Sequence, residues 1–377
     1  MFISKEYLLN TYSINLYLSI YLVTAILGLF YYQYIRKIIF LQIRAEVFIR
    51  IIFKIIIALP FSILCGLRDI SVGFDTYNYI RGFEKMANET YISSQGSFAF
   101  LYHFIFKVIA KTTNGNSVYM LFGMAMLSLV LIETAFEKVC RKGAEFSIGL
   151  ILFMLYLSPI MMDQSRQFIG VGFVTLAYAY LLNNKKRLCI FFILIGMFFH
   201  ETASVMLIFL MLDNRVLSGK KIKIFIFMFL ILNCFLMPVL LQLVYIFLPD
   251  RYSYLITAQE KTVIGKGWII DLFPLMISMF IYYNHIKKMY IQHNAVLESA
   301  IWSSFLFRIA GYYSFFIMRM SYYGESLSIL VIIYVLFHHK CKKLKIYIFI
   351  LLLAHFLHWW IDFVILGLNA AIPYRFK

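Results

Sequence analysis

The chain has 377 residues, 63% of them apolar and only 14% charged. A soluble domain is roughly half apolar and a quarter charged, so a soluble enzyme is excluded and the chain belongs in a bilayer. The net charge of +17 does not indicate nucleic acid, because Lys and Arg gather in short clusters between apolar blocks, with no stripe of interleaved stacking aromatics.

Apolar blocks of about 20 residues recur throughout, the length a helix needs to cross a membrane. They are continuous rather than alternating, so helices are expected and not a barrel. The predicted fold is an all-α, polytopic membrane bundle of about 11–12 spanning or half-spanning helices, forming a single membrane-embedded domain over 1–377. Spans are predicted at 13–34, 48–66, 117–136, 146–162, 165–182, 188–199, 202–212, 224–248, 267–285, 299–318, 322–339 and 346–366. The first runs from Ser13 past Tyr31 without a small-residue cleavage site, which predicts an uncleaved helix. Between the second and third spans, 67–116 is expected to be an outer loop carrying short amphipathic helices. Within it, 97–111 is too short to cross and holds His103 and Lys107, so it is expected to lie on or dip into the outer face.

The basic clusters orient the bundle. Arg36, Lys37, Arg44 and Arg50 precede the second span, and Lys138, Arg141 and Lys142 follow the third. Lys185, Lys186 and Arg187, then Arg215, Lys220, Lys221 and Lys223, then Lys287 and Lys288, and finally Lys340, Lys342, Lys343 and Lys345 complete the series. Alternation puts them all inside and both termini outside, provided that 188–212 is split at His200–Thr202 into two short helices meeting near the outer face. The five cysteines, Cys65, Cys140, Cys189, Cys234 and Cys341, are widely spaced and include no CxxC, so neither a disulfide framework nor a metal site is suggested.

With this topology the remaining ionisable residues collect on the outer side. A charge near a membrane centre costs about 2.5 kcal/mol or more, and a one-sided collection suggests a polar cavity open to the outside. "LRDISVGFDTYNY" (67–79) packs Arg68, Asp69 and Asp75 against a helix end; Gly73 permits a turn, and Asp75 or Thr76 can cap a helix starting near Tyr77. In "DQSRQFIGVGF" (163–173), Arg166 starts a helix and Gly170 leaves room for a ligand or a neighbouring helix. An Asp163–Arg166 pair is the plainer reading of the same residues. His200 and Glu201 interrupt an apolar run, but "HETAS" lacks the second His of a zinc motif. "DRYSYL" (250–255) sets Arg251 in an outer loop beside two tyrosines.

Arg308, Tyr312, Phe315 and Arg319 are spaced to form one stripe, with the two Arg roughly 16 Å apart along a helix. Arg308 falls about halfway along the predicted span. A cationic stripe entering the bilayer suits an anionic headgroup such as a pyrophosphate; alternatively, Arg319 is an interfacial anchor and Arg308 pairs with a carboxylate. In "HFLHWWID" (355–362), His355, His358 and Asp362 share a face, where a His–Asp contact is favoured over a metal trio.

Several of these segments, in order, resemble one family. "GLRDISVGFDTYNY" resembles the Arg–Gly–Asp–Tyr signature after an early helix in EpsG-like members of the Wzy-type polysaccharide polymerases. "SRQFIGVGFVTLAYAYLLNNKKRLCIFFILIGMFFHETASVML" (165–207) is similar to the family's Arg-containing helix, basic turn and His segment. "DRYSYL" resembles its outer Arg–Tyr loop, "FRIAGYYSFF" its late Arg–Tyr helix and "IPYRF" its C-terminal tail, although the polar run 84–97 is longer than usual. The resemblance implies a glycosyltransferase-C-like bundle in the bacterial inner or plasma membrane. Such an enzyme joins oligosaccharide repeat units carried on undecaprenyl pyrophosphate into O-antigen, capsule or exopolysaccharide, and leaves room for a chain-length regulator as partner.

That chemistry needs cations for the leaving pyrophosphate and a base for the acceptor hydroxyl. Arginine's fixed fork suits the first task, so Arg166, Arg251, Arg308 and Arg319 are expected to bind the pyrophosphate, with Tyr312 beside them. Arg68 is expected to join them or to orient Asp75. Asp75 or His200 would be the catalytic base, while Asp69 and Glu201 would each fix an arginine. Preorganised positive charge can replace a metal, so no cofactor and no obligatory Mg²⁺ is expected. The rival classes are a lipid-linked oligosaccharide flippase, which should show repeated halves and midplane charges, a polysaccharide ligase, and a membrane acyltransferase.

Overall fold

The computed structural model describes residues 5–35, 43–88, 99–210, 268–286, 294–311, 315–338 and 343–377. Among them the chain is all-α, with one isolated β-bridge between Arg68 and Phe376. The described helices are α1 (Lys5–Phe30, extended by a π-turn Tyr31–Ile35), α2 (Ile43–Gly66), α3 (Thr76–Asn88), α4 (Phe100–Thr112), α5 (Ser117–Val139), α6 (Gly143–Asp163) and α7 (Ser165–Leu182). They continue with α8 (Lys186–Phe199), a 3₁₀ turn Glu201–Ser204, α9 (Val205–Leu210), α10 (Trp268–Ile286), α11 (Asn294–Ala310), α12 (Phe315–Arg319), α13 (Ser321–His338) and α14 (Leu344–Trp359), which runs on into a π-turn Trp360–Ile365.

Among the described residues, six helical stretches are long and apolar enough to cross a membrane, and Glu201–Leu210 and Leu272–Asn284 are shorter apolar helices. Apolar residues surround the central helices on every side, as expected of helices buried in a membrane bundle. The apolar window of α6 is 89% buried, against 33% for that of α2. On α2, Phe48, Ile51 and Ile55 stay exposed, a face suited to lipid rather than water.

The turn after α8 breaks as the split at His200 predicts. His200 takes an extended conformation (φ −150°, ψ 113°), and the chain reverses through the 3₁₀ turn into α9. The short amphipathic segments also form: α3 starts at Thr76, and α4 packs against α3, α5 and α8. Lys107 of α4 is buried, where its alkyl stem can pack among apolar groups.

One predicted span is corrected. The 299–318 segment is two pieces, because α11 stops at Ala310 and Arg319 belongs to the separate helix α12. Close approach at Gly311 makes this break: a Cβ there would stand 2.6 Å from Cβ of Met318 and 2.9 Å from the Arg308 carbonyl. The Arg308–Arg319 stripe is therefore not a single helix face, and Arg308 lies in the last turn of α11 rather than halfway along a span. Tyr312, Arg251, Cys234, Cys341 and the span at 224–248 lie outside the described residues.

The helix ends sort the charges into two groups. Lys138, Arg141, Lys142, Lys185, Lys186 and Arg187 lie at one end, where the Asn183 side chain donates to the Lys138 carbonyl. Arg68, Asp75, Asp163, Arg166, His200, Arg308, Arg319 and Glu325 lie at the other, called below the Arg166 end.

Candidate active site

The Arg166 end is built around the loop after α2. Asp69 N donates to the Arg375 carbonyl at 2.8 Å and Lys377 N to the Leu67 carbonyl at 2.9 Å, so the tail zips onto the loop across the Arg68–Phe376 bridge. The Tyr374 hydroxyl donates to the Leu64 carbonyl at 2.6 Å, and the Tyr17 hydroxyl of α1 to the Ala371 carbonyl at 2.9 Å. Gly73 has φ +87°, and a Cβ there would stand 2.9 Å from Thr76 Oγ1 and 3.2 Å from Asp163 Cα. Only glycine combines that backbone with that closeness. The loop then continues directly to Asp75, whose N donates to Asp163 Oδ1 at 2.8 Å.

Held this way, Asp75 turns its carboxylate toward α12: Oδ2 lies 2.9 Å from Arg319 Nη2, with both side chains a quarter exposed. The carboxylate is thus spent on Arg319 and not on capping α3. Gln167 Nε2 donates to the Arg319 carbonyl at 2.6 Å, tying α12 to the first turn of α7.

Arg166 sits half-buried in that same turn, with its guanidinium carbon 5.5 Å from the centre of the Tyr102 ring. It has no carboxylate partner among the described residues, and the alternative Asp163–Arg166 pair is not formed. Asp163 instead accepts from Asp75 N and from Gln164 Nε2. The charge of Arg166 reaches Tyr79, Tyr102, His103 and His200. Burial first, with Asp75 next, raises the Tyr79 phenol; burial and then Arg166 lower the His103 imidazole.

His200 is buried in the extended turn, where its Nδ1 lies 2.7 Å from Thr202 Oγ1, which lies 2.8 Å from the Tyr323 hydroxyl. Burial, then the charges of Arg166 and Arg319, hold its pKa well below the ordinary imidazole value. That direction favours the neutral imidazole, the form able to accept a proton. Gly170 accommodates this arrangement: a Cβ there would be 3.3 Å from both the His200 Cβ and the Tyr323 hydroxyl. The space next to Gly170 is filled by the neighbouring helix and turn, as one of its two sequence readings has it.

Arg308 and Arg68 differ from their expected roles. Arg308 forks onto Glu325, Nε to Oε1 at 2.6 Å and Nη2 to Oε2 at 3.2 Å, with Ser321 Oγ donating to Oε1 at 2.7 Å. The carboxylate is fully buried, so the pairing alternative describes Arg308 correctly. Arg68 is only 1% exposed, and its Nη2 donates to Ser165 Oγ at 3.1 Å. It neither faces the open site nor touches Asp75; it braces the α6–α7 junction from which Asp163 and Arg166 project.

Asp69 does not fix an arginine side chain either, because its carboxylate accepts from Ser71 N at 2.9 Å and Ser71 Oγ at 2.7 Å. Those bonds, the backbone one first, lower its pKa. Glu201 opens the 3₁₀ turn, and its carbonyl accepts from Ser204 Oγ. At the far end of α14, His358 Nε2 lies 3.0 Å from Asp362 Oδ2, while His355 Nδ1 donates to the Leu351 carbonyl at 2.7 Å. The favoured His–Asp contact is therefore present.

Four side chains the sequence did not single out, Ser165, Gln167, Thr202 and Tyr323, carry the hydrogen bonds that hold this site. Their only signal is polarity inside apolar stretches, which helix interiors often tolerate by bonding back to the preceding turn.

No curated protein and no solved structure matches this chain. The model of the EpsG family matches residues 51–376, a span that includes Asp75, Asp163, Arg166, His200 and Arg319; Tyr17 of α1 and Lys377 lie outside it. The chain therefore belongs to the EpsG family, and with it to the multi-pass membrane proteins of polysaccharide biosynthesis.

Proposed function

We propose that this chain is a polysaccharide polymerase that transfers a glycan from an undecaprenyl-pyrophosphate donor to the next lipid-linked repeat unit. The reaction takes place at the Arg166 end, which faces the outside of the bacterial inner or plasma membrane, with the basic clusters inside. The observation that carries this reading is Arg166: a half-buried guanidinium without a carboxylate partner among the described residues, at the end of the bundle that also holds the Arg319–Asp75 pair and the buried His200.

The acceptor hydroxyl attacks the anomeric carbon as the bond from that carbon to the pyrophosphate oxygen breaks. The bonding pair stays on the pyrophosphate, where Arg166 and Arg319 stabilise it without a metal. The hydroxyl proton passes to Asp75 or His200. Asp75 changes partner readily, since a pyrophosphate oxygen can replace its carboxylate on Arg319. Arg308 supports α13 from behind, and Arg68 positions the α6–α7 junction.

The test is a deletion strain read by polysaccharide gel. Loss of a polymerase leaves single repeat units on the final acceptor. Unattached polymer would instead identify a ligase, and absence of both from the surface a flippase. Protection of an exposed cysteine introduced by Lys142→Cys from membrane-impermeant thiol reagents in intact cells checks the orientation; labelling of it overturns it.

A further inference from the structure

The end opposite the site holds a cavity of about 340 Å³ lined by Arg50 of α2, Glu137 and Lys138 of α5, Tyr180 and Asn183 at the end of α7, and Lys185 before α8. We propose that it binds the phosphate of an anionic membrane phospholipid.

Charge is the first argument. The Glu137 carboxylate is already satisfied by Lys54 Nζ at 2.6 Å, Arg50 Nη1 at 2.9 Å and the Tyr31 hydroxyl at 2.7 Å. Lys138 and Lys185 are left over, without a carboxylate partner among the described residues. Counting Arg50, Lys54, Lys138 and Lys185 against Glu137, and even counting the buried Glu133 as ionised, the cavity keeps an excess of positive charge.

Construction is the second argument. Lys138 Nζ is held 4.3 Å from the centre of the Tyr180 ring, whereas a lysine serving topology alone needs no such support. The turn carrying Lys185 is tightly specified: Asn184 has φ +59°, Lys185 N donates to the Tyr180 carbonyl at 2.9 Å, and Asn183 Nδ2 donates to the Ala179 carbonyl at 2.8 Å. The volume falls within the range of about 300–1,000 Å³ typical of small-molecule sites.

The surroundings identify a lipid as the source of the phosphate. Helices α2 and α8 pack on either side of the α5–α7 pair. Both present exposed apolar side chains close in sequence to the lining residues Arg50 and Lys185, Phe48 and Ile51 on α2 and Leu188 and Phe191 on α8. Acyl chains can lie along these faces while the phosphate meets the lysines, the arrangement by which basic pockets between membrane helices take anionic headgroups.

The test compares the full chain in nanodiscs of phosphatidylcholine alone with nanodiscs containing phosphatidylglycerol. Phosphatidylglycerol should raise the unfolding midpoint of the wild type by about 3 °C and remain bound in native mass spectrometry. The Lys138→Gln/Lys185→Gln variant should lose most of both effects. An equal shift in wild type and variant overturns the proposal. A shift reproduced by inorganic phosphate in phosphatidylcholine overturns the lipid assignment in favour of a free anion. If the double variant does not fold, a photoactivatable phosphatidylglycerol on the wild type decides: crosslinks within 48–51, 137–138 or 180–191 support the site, and crosslinks confined to other segments overturn it.

Discussion

Two arginines at the same end of the bundle, Arg308 and Arg319, each meet a carboxylate, but in different ways. Arg308 forks onto a fully buried Glu325 that also accepts from Ser321. Arg319 meets Asp75 through one nitrogen at 2.9 Å, with both side chains a quarter exposed. Removing one partner of a buried pair costs about 3–5 kcal/mol, whereas an exposed pair is worth about 0–1 kcal/mol, and the Arg319 pair falls toward the second case. Positive charge beside a membrane is therefore not one property. The Arg308 pair is committed to architecture, while Arg319, whose carbonyl is bonded by Gln167 in the same turn as Arg166, can exchange its carboxylate at small cost.

Substitutions can break or sharpen that contrast. Asp75→Asn and His200→Gln should separate the two candidate bases: the true one loses about 10²–10⁴-fold in polymerisation rate, while the other loses much less, measured on reconstituted protein with equal amounts in the membrane. Arg166→Ala should reduce the rate about 10²–10³-fold with unchanged melting, and a variant that still makes normal chain lengths would remove the pyrophosphate role. Arg308→Ala or Glu325→Gln alone should destabilise the protein by about 3 kcal/mol, seen as loss of folded protein on detergent extraction. The paired change Arg308→Met/Glu325→Leu should restore folded protein together with most of the activity; folded protein that makes no polymer would show that Arg308 does touch substrate. Gly73→Ala should cost about 1–2 kcal/mol from the left-handed backbone alone and lower activity a few-fold by shifting Asp75. Ser165→Ala should be mildest, about 1–2 kcal/mol, with a small melting shift and little change in rate.

Most of the helices among the described residues and the break at His200 were legible because hydrophobic length and charge placement are local properties. The polar cluster itself was legible too: Arg68, Asp75, Arg166, His200, Arg308 and Arg319 do share one end. Their partners were not, since nothing local says that Asp75 reaches Arg319 or that Arg68 meets Ser165, 244 and 97 residues away respectively. Asp69 looked like a partner for an arginine because both are charged, yet Ser71 two residues on satisfies it first, as Asp side chains in turns tend to do. The four-three-four spacing of Arg308, Tyr312, Phe315 and Arg319 assumed an unbroken helix, and a single glycine at 311 was too weak a signal to cancel that assumption.

The tail has a consequence for how the protein is made. Tyr374 bonds to Leu64 across 310 residues and to Ser13 across 361, and Arg375 and Leu67 continue the zipper. The loop that presents Asp75 therefore leaves the ribosome long before the segment that fastens it. Until residues 371–377 are synthesised and docked, the wall of the site lacks its brace, so a nascent chain can hold most of its helices in the membrane and still not be an enzyme. Late closure of this kind makes the geometry around Asp75 a property of the finished chain and not of any half-inserted piece of it.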